Sequence, residues 1–302
     1  MTMTSTTCSS LKRATRAFEA LLPSLPPAAG SVDLHSDDTH NGLLWLTLNR
    51  PEKRNAITAS MMLDLARHVE DIRGRHDVRA VVLRGAGSHF CAGADFGLAK
   101  ALRTPEHGLC MLDLMTTVLD SFHLLPCVTV AAVQGFAKGG GAELLTASDF
   151  RVFGNVSPHV QFVHTNMGIS PGWGGALRLR ELVGRQKAIQ LVAMAKILEG
   201  GAMAEDWGLA DCVVDEKDRG DGSSFAAVDR GAISFLRPIL ESKSITAVRA
   251  TKQAIAGSGF SCIHRATERN AFASVWGAED NQRAVITALK GLGESTVKAS
   301  NK

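Results

Sequence analysis

The chain has 302 residues, of which 45% are apolar, and a formal net charge of +3. A chain of this length and composition can bury a sizeable core as one large domain or two smaller ones. Basic and acidic residues are well mixed along it, and the lack of a basic stripe argues against a nucleic-acid partner. No apolar run has the length of a membrane span, so we expect a soluble protein without a membrane partner.

The six cysteines and ten histidines are scattered. No C-x-x-C pair, H-E-x-x-H motif or short Cys/His cluster is present, which predicts reduced thiols in an intracellular compartment and no metal site. Tyrosine is absent. A mechanism that requires a phenol is therefore excluded.

Residues 1–30 are rich in Ser and Thr, carry several basic residues and end in the run LLPSLPPAAG. Organelle transit peptides share part of this composition, and so do disordered arms with one short helix. We interpret the segment as a flexible N-terminal arm. No continuous apolar segment precedes a cleavage site, which argues against a secretory signal.

Strands and helices then alternate. Apolar and β-branched runs predict the strands, and a 3.6-residue periodicity predicts the helices. In chain order, the predicted elements are a strand at 43–49, a loop at 50–58, a helix around 62–72, a strand at 80–83, a helix at 109–124, strands at 128–133 and 150–153, a helix that ends near 182, a helix at 186–196 and a strand at 212–214. Beyond a charged loop at 216–223 the pattern is helical only. This order predicts an α/β core at 31–222 and a helical C-terminal region at 223–302.

The most informative stretch is CVTVAAVQGFAKGGGAELLTASD at 127–149. A buried strand leads to three consecutive glycines, Gly139–Gly141, and then to a predicted helix at 142–148. Bare backbone N–H groups can approach a ligand closely there, with the positive helix end behind them, which suits an oxyanion. Glu143 lies in the first helical turn, either within reach of the bound group or only complementing the helix dipole.

A second loop of small residues, FCAGAD at 90–95, also follows a buried strand. Two independent N–H sources at the ends of adjacent strands are what an oxyanion hole for a thioester carbonyl requires. The two loops together therefore predict one site. Within the second loop, we interpret Asp95 as a helix N-cap in preference to a reacting group.

These motifs resemble the crotonase (enoyl-CoA hydratase/isomerase) superfamily. The similarity runs through NRPEKRNA (49–56), FCAGAD (90–95), VQGFAKGGGAE (133–143) and MGISPGWGG (167–175), in the family's order and spacing. The resemblance implies a crotonase-like α/β spiral of ββα units with a C-terminal helical trimerisation region. It also implies an acyl-CoA substrate, a homotrimer or dimer of trimers, and no cofactor other than the coenzyme A of the substrate.

The same resemblance implies roles for individual residues. The N–H groups of Ala94 and Gly140 would form the oxyanion hole, beside the catalytic side chains of Glu143 and His164. The residues expected to bind the substrate are Lys53, Arg54, Ala56, Ala92, Asp95, Gly139 and Trp173. Lys53 and Arg54 have an alternative interpretation as solvated loop charges. Trp173 either walls the acyl pocket or only packs at a helix start.

The carboxylates determine which reaction we expect. Hydratases of the superfamily use two glutamates; Glu143 matches the first, but the second position holds His164 within FVHTNMGI. Hydration needs a base for water and an acid for the α-carbon, and one carboxylate is missing. A histidine opposite an oxyanion hole suits a malonyl-type thioester, which leaves an enolate when CO₂ departs. Either Glu143 or His164 then protonates C2, and the alternative is that His164 is a core histidine.

Within the superfamily, the sequence resembles the ethylmalonyl-CoA decarboxylase group through GSVDL (30–34), TPEHG (104–108) and SVWGAEDN (274–281). This resemblance implies a carboxy-lyase that removes CO₂ from ethylmalonyl-CoA, and also from methylmalonyl-CoA, in metabolite repair. The expected compartment is the cytosol, with the mitochondrion second. One alternative is an enoyl-CoA hydratase or isomerase that uses Glu143, because CAGA at 91–94 follows the general hydratase pattern. Another is a non-catalytic binding protein of the same fold.

Overall fold

The structure is a computed structural model, and it describes residues 3–25, 27, 29–215, 224–242, 244–256, 272–273, 276–279, 281–283, 285–287 and 289–290. Its strands are β1 (Ser31–Ser36), β2 (Leu43–Asn49), β3 (Ala80–Gly85), β4 (Val128–Val133), β5 (Phe136–Lys138), β6 (Phe150–Gly154), β7 (His159–Gln161), β8 (Ile197–Glu199) and β9 (Cys212–Val214). Its helices are α1 (Met3–Glu19), α2 (Ala59–Gly74), α3 (Phe96–Ala101), α4 (Pro105–His123), α5 (Gly140–Leu145), α6 (Gly175–Val183), α7 (Arg185–Ala193), α8 (Gly200–Asp206), α9 (Ser224–Leu240) and α10 (Ile245–Ala256). The predicted α/β class is confirmed.

The strands form two sheets. The larger has the order β1-β2-β3-β4-β6-β9, and the smaller has the order β5-β7-β8. In the larger sheet only β1 and β2 are antiparallel, so that β3, β4, β6 and β9 all point the same way as β2. All six residues of β4 are buried, as expected of a parallel strand that is covered on both faces and reads as one continuous apolar run.

The chain repeats one structural unit. Each unit consists of a strand of the large sheet, a short strand or bridge in a second layer that contains the small sheet, and a helix. β4 leads to β5 and α5, and β6 leads to β7 and α6. In the two preceding turns, isolated bridges take the place of the second strand, between Ile57 and Ala94 and between Cys91 and Ala137. This is the ββα spiral that the resemblance implied. The second-layer contacts are one to three residues long, too short to be visible as a sequence repeat.

The interpretation of residues 1–30 as a flexible arm with one short helix is wrong for residues 3–19. α1 has 17 residues and packs against α4. Leu11 and Phe18, two helical turns apart, are buried in the main core with exposed fractions of 3% and 0%. The seven-residue spacing places both side chains on one helix face, and their burial offsets the entropy lost on ordering the segment.

Most predicted elements lie within a few residues of their observed positions. The main differences are that α5 begins at Gly140, two residues earlier than predicted, and that β1, β5, β7, β8 and α8 were not predicted. The helical C-terminal region is represented by α9 and α10, and the expected boundary loop at 216–223 lies outside the described residues. Among the described helices, none is both long and apolar enough to cross a membrane.

Candidate active site

The two glycine loops lie side by side, as predicted. Cys91 N–H donates to the Phe136 carbonyl and Lys138 N–H donates to the Cys91 carbonyl, both at 2.9 Å. Gly93 has a φ of +97°, and a Cβ at this position would lie 2.8 Å from the Lys138 carbonyl oxygen and 3.4 Å from the nitrogen of Gly140. Only a residue without a side chain allows this backbone-to-backbone approach.

Ala94 and Gly140 line the same cleft. Gly140 is the first residue of α5, so its N–H has no acceptor within the helix. In the part of the chain that the structure describes, neither N–H group donates to a protein acceptor. The structure therefore brings together the two donors that were predicted to form the oxyanion hole, and their role there stays a prediction.

Close packing explains why Gly139–Gly141 must be glycine. Gly139 has a φ of +52°, in the region that favours glycine. A Cβ on Gly140 would lie 2.4 Å from the ring of Trp173, and one on Gly141 would lie 2.2 Å from the Cys91 carbonyl oxygen. The glycine run thus allows the ring to lie on one side of the helix start and the second loop to lie on the other.

Glu143 is buried, with an exposed fraction of 1%. Its Oε1 accepts from Gly172 N–H at 3.2 Å and bonds His164 Nε2 at 2.9 Å, and its Oε2 accepts from the N–H groups of Trp173 at 2.8 Å and Gly175 at 2.9 Å. Burial by itself raises the pKa of Glu143, but the hydrogen bond and charge of His164 and the N–H groups of Gly175 and Trp173 outweigh it, and the pKa lies below its ordinary value. Glu143 is therefore an ionised, fully hydrogen-bonded carboxylate.

His164 is also buried, with an exposed fraction of 4%, and it lines the cleft. Because the Glu143 carboxylate only accepts, we assign the proton of this contact to Nε2. The other ring nitrogen, Nδ1, is buried and has no hydrogen-bond partner among the described residues. A satisfied core histidine would have partners on both nitrogens. The loop is held by the N–H groups of Met167 and Ile169, which donate to the His164 carbonyl at 2.9 and 3.0 Å.

Arg178 holds the loop that surrounds Glu143, and the sequence did not point to it. Its guanidinium is buried and donates to the Trp173 carbonyl at 2.6 Å, to Thr146 Oγ1 at 3.1 Å and to Asp120 at 3.3 Å. These bonds join α4, α5 and α6 behind the site. In the sequence, a single arginine on an amphipathic helix is indistinguishable from a solvated surface charge.

The loop that carries Lys53 and Arg54 contacts the loop at 90–95, but neither basic residue lines the cleft. Ala92 N–H donates to the Arg54 carbonyl at 2.9 Å. Both basic side chains are exposed, and the Arg54 guanidinium lies 5.3 Å from the centre of the Phe136 ring. Their expected role in binding the substrate stays a prediction, beside the alternative of solvated loop charges.

Asp95 is the N-cap of α3, which confirms that interpretation. Its Oδ1 accepts from the N–H groups of Gly97 at 2.7 Å and Leu98 at 3.2 Å. Its Oδ2 accepts from Arg50 at 2.7 Å, and the same arginine nitrogen donates to the Ala56 carbonyl at 3.2 Å. Both oxygens of Asp95 therefore hold the loop, and Asp95 and Ala56 lie behind the cleft lining.

Of the predicted substrate-binding residues, Ala92, Gly139 and Trp173 line the cleft. Trp173 has an exposed fraction of 3%, so that it both walls the cleft and packs at the start of a helix. The cleft is also lined by C-terminal residues that had no predicted role. These residues are Phe272, Trp276, Asn281 and Val285. The available signal was the motif SVWGAEDN at 274–281.

The chain is similar in sequence to a known family and to named proteins. The family described as enoyl-CoA hydratase/isomerase matches residues 38–271. The ethylmalonyl-CoA decarboxylase of Xenopus laevis is 35% identical over 263 residues, which cover 86% of this chain and 84% of that protein. The ethylmalonyl-CoA decarboxylase of Homo sapiens is 34% identical over 264 residues, which cover 87% of this chain and 82% of that protein.

Solved structures are similar in fold over most of the chain. An enoyl-CoA hydratase from Mycobacterium avium subsp. paratuberculosis superposes with a TM-score of 0.72 at 22% identity and covers 87% of this chain and 100% of that one. An enoyl-CoA hydratase from Bacillus anthracis superposes with a TM-score of 0.67 at 26% identity and covers 88% and 96%. The crotonase-like fold expected from the motifs is thereby confirmed, and the chain belongs to the enoyl-CoA hydratase/isomerase (crotonase) family.

Proposed function

We propose that this chain is a carboxy-lyase that removes CO₂ from a short 2-alkylmalonyl-CoA, with ethylmalonyl-CoA as the main substrate and methylmalonyl-CoA as the second. The observation that carries the proposal is the pair of Glu143 and His164: the carboxylate is saturated by four donors, while one ring nitrogen of His164 has no partner in the described part of the chain. The names of the curated relatives support the same reaction.

In the proposed reaction the thioester oxygen accepts from the N–H groups of Ala94 and Gly140. The bond between C2 and the substrate carboxylate breaks, CO₂ leaves, and the electron pair forms an enolate whose negative oxygen the two donors stabilise. In this step His164 is protonated on both nitrogens: Nε2–H stays on Glu143, and the Nδ1 proton adds to C2, which yields butyryl-CoA from ethylmalonyl-CoA and leaves a neutral imidazole. A hydronium ion of the solvent then restores the proton on Nδ1, and this is the one proton that the overall reaction consumes. Glu143 acts as the positioning residue that orients the ring through Nε2.

The arrangement of Glu143 argues against simple hydration. A general base for water needs a free lone pair within reach of the water. Both oxygens of Glu143 already accept from N–H donors, and its pKa lies below its ordinary value, so it is poorly suited to accept or deliver a proton. His164 is therefore the better candidate for the proton that reaches C2.

The first experiment incubates the purified protein with racemic ethylmalonyl-CoA and, separately, with crotonyl-CoA, and resolves the products by mass. We expect butyryl-CoA from the first and little change in the second. Rapid hydration of crotonyl-CoA with ethylmalonyl-CoA untouched would favour the hydratase alternative. Binding of coenzyme A without turnover of either thioester would favour the non-catalytic one.

His164→Gln tests the assignment of the proton donor, because glutamine retains hydrogen bonding but cannot donate a proton in the same way. We expect a loss of about 10²–10⁴ in kcat for decarboxylation, the range of a general-acid contribution. Undiminished decarboxylation in the folded variant would restore the interpretation of His164 as a core histidine.

Three further expectations accompany this proposal. The scheme needs no cofactor beyond the coenzyme A of the substrate. A homotrimer or dimer of trimers is expected, with α9 and α10 in the trimerisation region, and light scattering of the purified protein tests it. A cytosolic site in metabolite repair is expected, with the mitochondrion second, and imaging of the full chain in cells distinguishes the two compartments.

A further inference from the structure

Two motifs that the proposed reaction does not use, TPEHG at 104–108 and SVWGAEDN at 274–281, meet beside the cleft. The ring of Trp276 lies on Gly108, where a Cβ would be 2.2 Å from it. Trp276 Nε1 donates to the Leu102 carbonyl at 2.7 Å. Gly277 has a φ of +72°, and its backbone lies against the Arg103 carbonyl. A Cβ on Gly277 would be only 2.5 Å from that carbonyl oxygen. The indole is thus held by a glycine on its face and a hydrogen bond at its edge.

Phe272 continues this wall toward the reacting groups. Its ring stacks on Trp276 with centroids 4.9 Å apart and planes at 26°. It also lies on Gly172, where a Cβ would be 2.4 Å from the ring. Gly172 N–H donates to Glu143. One continuous aromatic surface therefore runs from the loop at 172–175, which donates to Glu143, to α4. Both rings line the cleft.

Asn281 fixes the segment that carries these rings. Its Oδ1 accepts from Gly277 N–H at 2.9 Å, and its Nδ2 donates to the Met167 carbonyl at 3.0 Å. Met167 belongs to the loop of His164, whose carbonyl accepts from Met167 N–H. The amide of Asn281 is buried, with an exposed fraction of 6% for the residue. The position of the wall relative to His164 is therefore set by direct hydrogen bonds.

We propose that Trp276, supported by Phe272, is the specificity-determining residue that limits the length of the 2-alkyl substituent of the substrate. This inference rests on the proposed decarboxylation. The rings of Phe272 and Trp276 are packed directly on glycines and cannot move aside. An additional methylene on the 2-alkyl group of the substrate would therefore overpack the cleft, which weakens binding of the substrate and of its transition state. Trp173, the predicted wall, has its ring on Gly140 and therefore lies at the thioester end of the cleft.

Trp276→Leu tests the proposal, because leucine retains an apolar side chain but removes the large ring. The measurement is kcat/KM for methyl-, ethyl-, propyl- and butylmalonyl-CoA, and the readout is the ratio of propyl to ethyl. We expect this ratio to rise by about tenfold or more, the lower range for one methylene in an apolar pocket. The matched control is Trp207→Leu: Trp207 is half-buried, packs against the main core and lies 5.9 and 5.2 Å from the ammonium groups of Lys187 and Lys196. It does not line the cleft, so its replacement leaves the ratio unchanged.

Two further variants keep the proposal testable if Trp276→Leu does not fold. Trp276→Phe shortens the ring system, and we expect a smaller rise of the same ratio. Gly108→Ala pushes the indole toward the cleft, and we expect the ratio of ethyl to methyl to fall.

Unchanged ratios in folded variants, with a wild-type protein that decarboxylates ethylmalonyl-CoA, would overturn this inference alone. A wild-type protein that decarboxylates none of the four thioesters would overturn the proposed function and this inference with it.

Discussion

Glu143 combines complete burial with four hydrogen-bond donors, two on each oxygen. An isolated buried carboxylate would become neutral, because the charged form loses its hydration. Three backbone N–H groups and His164 replace that hydration, and the pKa falls instead of rising. The negative charge is then a fixed feature of the site, which orients the imidazole and leaves the chemistry to its other nitrogen.

Replacement of Glu143 by glutamine should change stability in a pH-dependent way. The pKa of Glu143 is lowered on folding, so its contribution is complete above the unfolded pKa, about 4.3 for glutamate, and is lost as the pH falls through the folded pKa. We expect Glu143→Gln to destabilise the protein at pH 7 by about 2 kcal/mol, the scale of charged hydrogen bonds. Urea unfolding at pH 7 and at successively lower pH should show the gap narrowing below about pH 4.3.

The control for this titration is Glu241→Gln, at an exposed position at the end of α9. Its effect on the free energy of unfolding should be small at every pH. A gap between wild type and Glu143→Gln that stays constant down to the acid transition would contradict the assignment of Glu143 as an ionised, stabilised group.

Gly140→Ala should lower the free energy of unfolding, because the new side chain would collide with the ring of Trp173. The backbone of Gly140 is helical and accepts alanine, but the new Cβ would lie 2.4 Å from the Trp173 ring, at a cost of about 1–3 kcal/mol. The double variant Gly140→Ala/Trp173→Leu should therefore be less destabilised than the sum of the single variants, with a coupling of about 1 kcal/mol or more. Thermal or urea unfolding of all four proteins measures this coupling.

Gly74→Ala provides the matched control, since a Cβ there meets no atom within 4 Å. It should be neutral or slightly stabilising, as expected for alanine in place of glycine near a helix end. Strict additivity of the Gly140 and Trp173 effects would mean that the ring does not require the glycine.

At the scale of secondary-structure elements, the loops after β3 and β4 form the site because short second-layer contacts join them. The bridge between Cys91 and Ala137 extends the small sheet, and its hydrogen bonds place the N–H groups of Ala94 and Gly140 in one cleft. α1 plays a different part: it covers α4 from outside, the helix that also carries Gly108 beneath Trp276. An N-terminal helix in a segment that we expected to be flexible thus supports the helix on which Trp276 packs.

Phe18→Ala tests the docking of α1. Phe18 is fully buried in the main core, and Phe→Ala changes at such positions cost about 3–5 kcal/mol. We expect the midpoint of urea unfolding to fall accordingly. Leu22→Ala, in the same segment but 37% exposed, should change stability much less, by about 0.5 kcal/mol. Equal, small effects of the two changes would restore the interpretation of this segment as a flexible arm.

At the scale of the whole molecule, two cations of α10 attach the helix to the core: the partly buried Arg249, which donates to the Val78 carbonyl at 3.0 Å, and the buried Lys252. Lys252 Nζ donates to the Cys127 carbonyl and pairs with Asp149, both at 2.6 Å. These two residues flank the stretch that contains β4, β5 and α5. Asp149 also accepts from the N–H and hydroxyl groups of Thr129, at 2.7 and 2.9 Å. The C-terminal helices are therefore tied to the ends of the segment that builds the site.

Lys252→Met should weaken this attachment. Removal of one partner of a buried pair leaves the other charge uncompensated, at a cost of about 3 kcal/mol. We expect hydrogen exchange in α10 to accelerate and the unfolding midpoint to fall. Lys12→Met, at an exposed position on α1, should change neither quantity. Unchanged exchange in α10 of the Lys252 variant would show that the Lys252 contacts do not hold the helix, and that apolar packing and the bond from Arg249 to the Val78 carbonyl suffice.

The sequence by itself determined the strands β2, β3, β4, β6 and β9, because their apolar and β-branched runs are long enough to be recognised locally. It also determined the two glycine loops and the N-cap at Asp95, since glycine and capping residues act through the backbone of their own neighbourhood. His164 was recognised from its position in a motif.

Only the tertiary structure decided the contacts between residues that are far apart in the chain. The hydrogen bonds from the loop at 172–175 to Glu143, the buried guanidinium of Arg178 and the packing of Trp276 on Gly108 all join separate elements. The structure also shows that Nδ1 of His164 has no partner among the described residues. Hydrogen-bond satisfaction and packing of this kind depend on distances between side chains, which residue spacing along the chain does not encode.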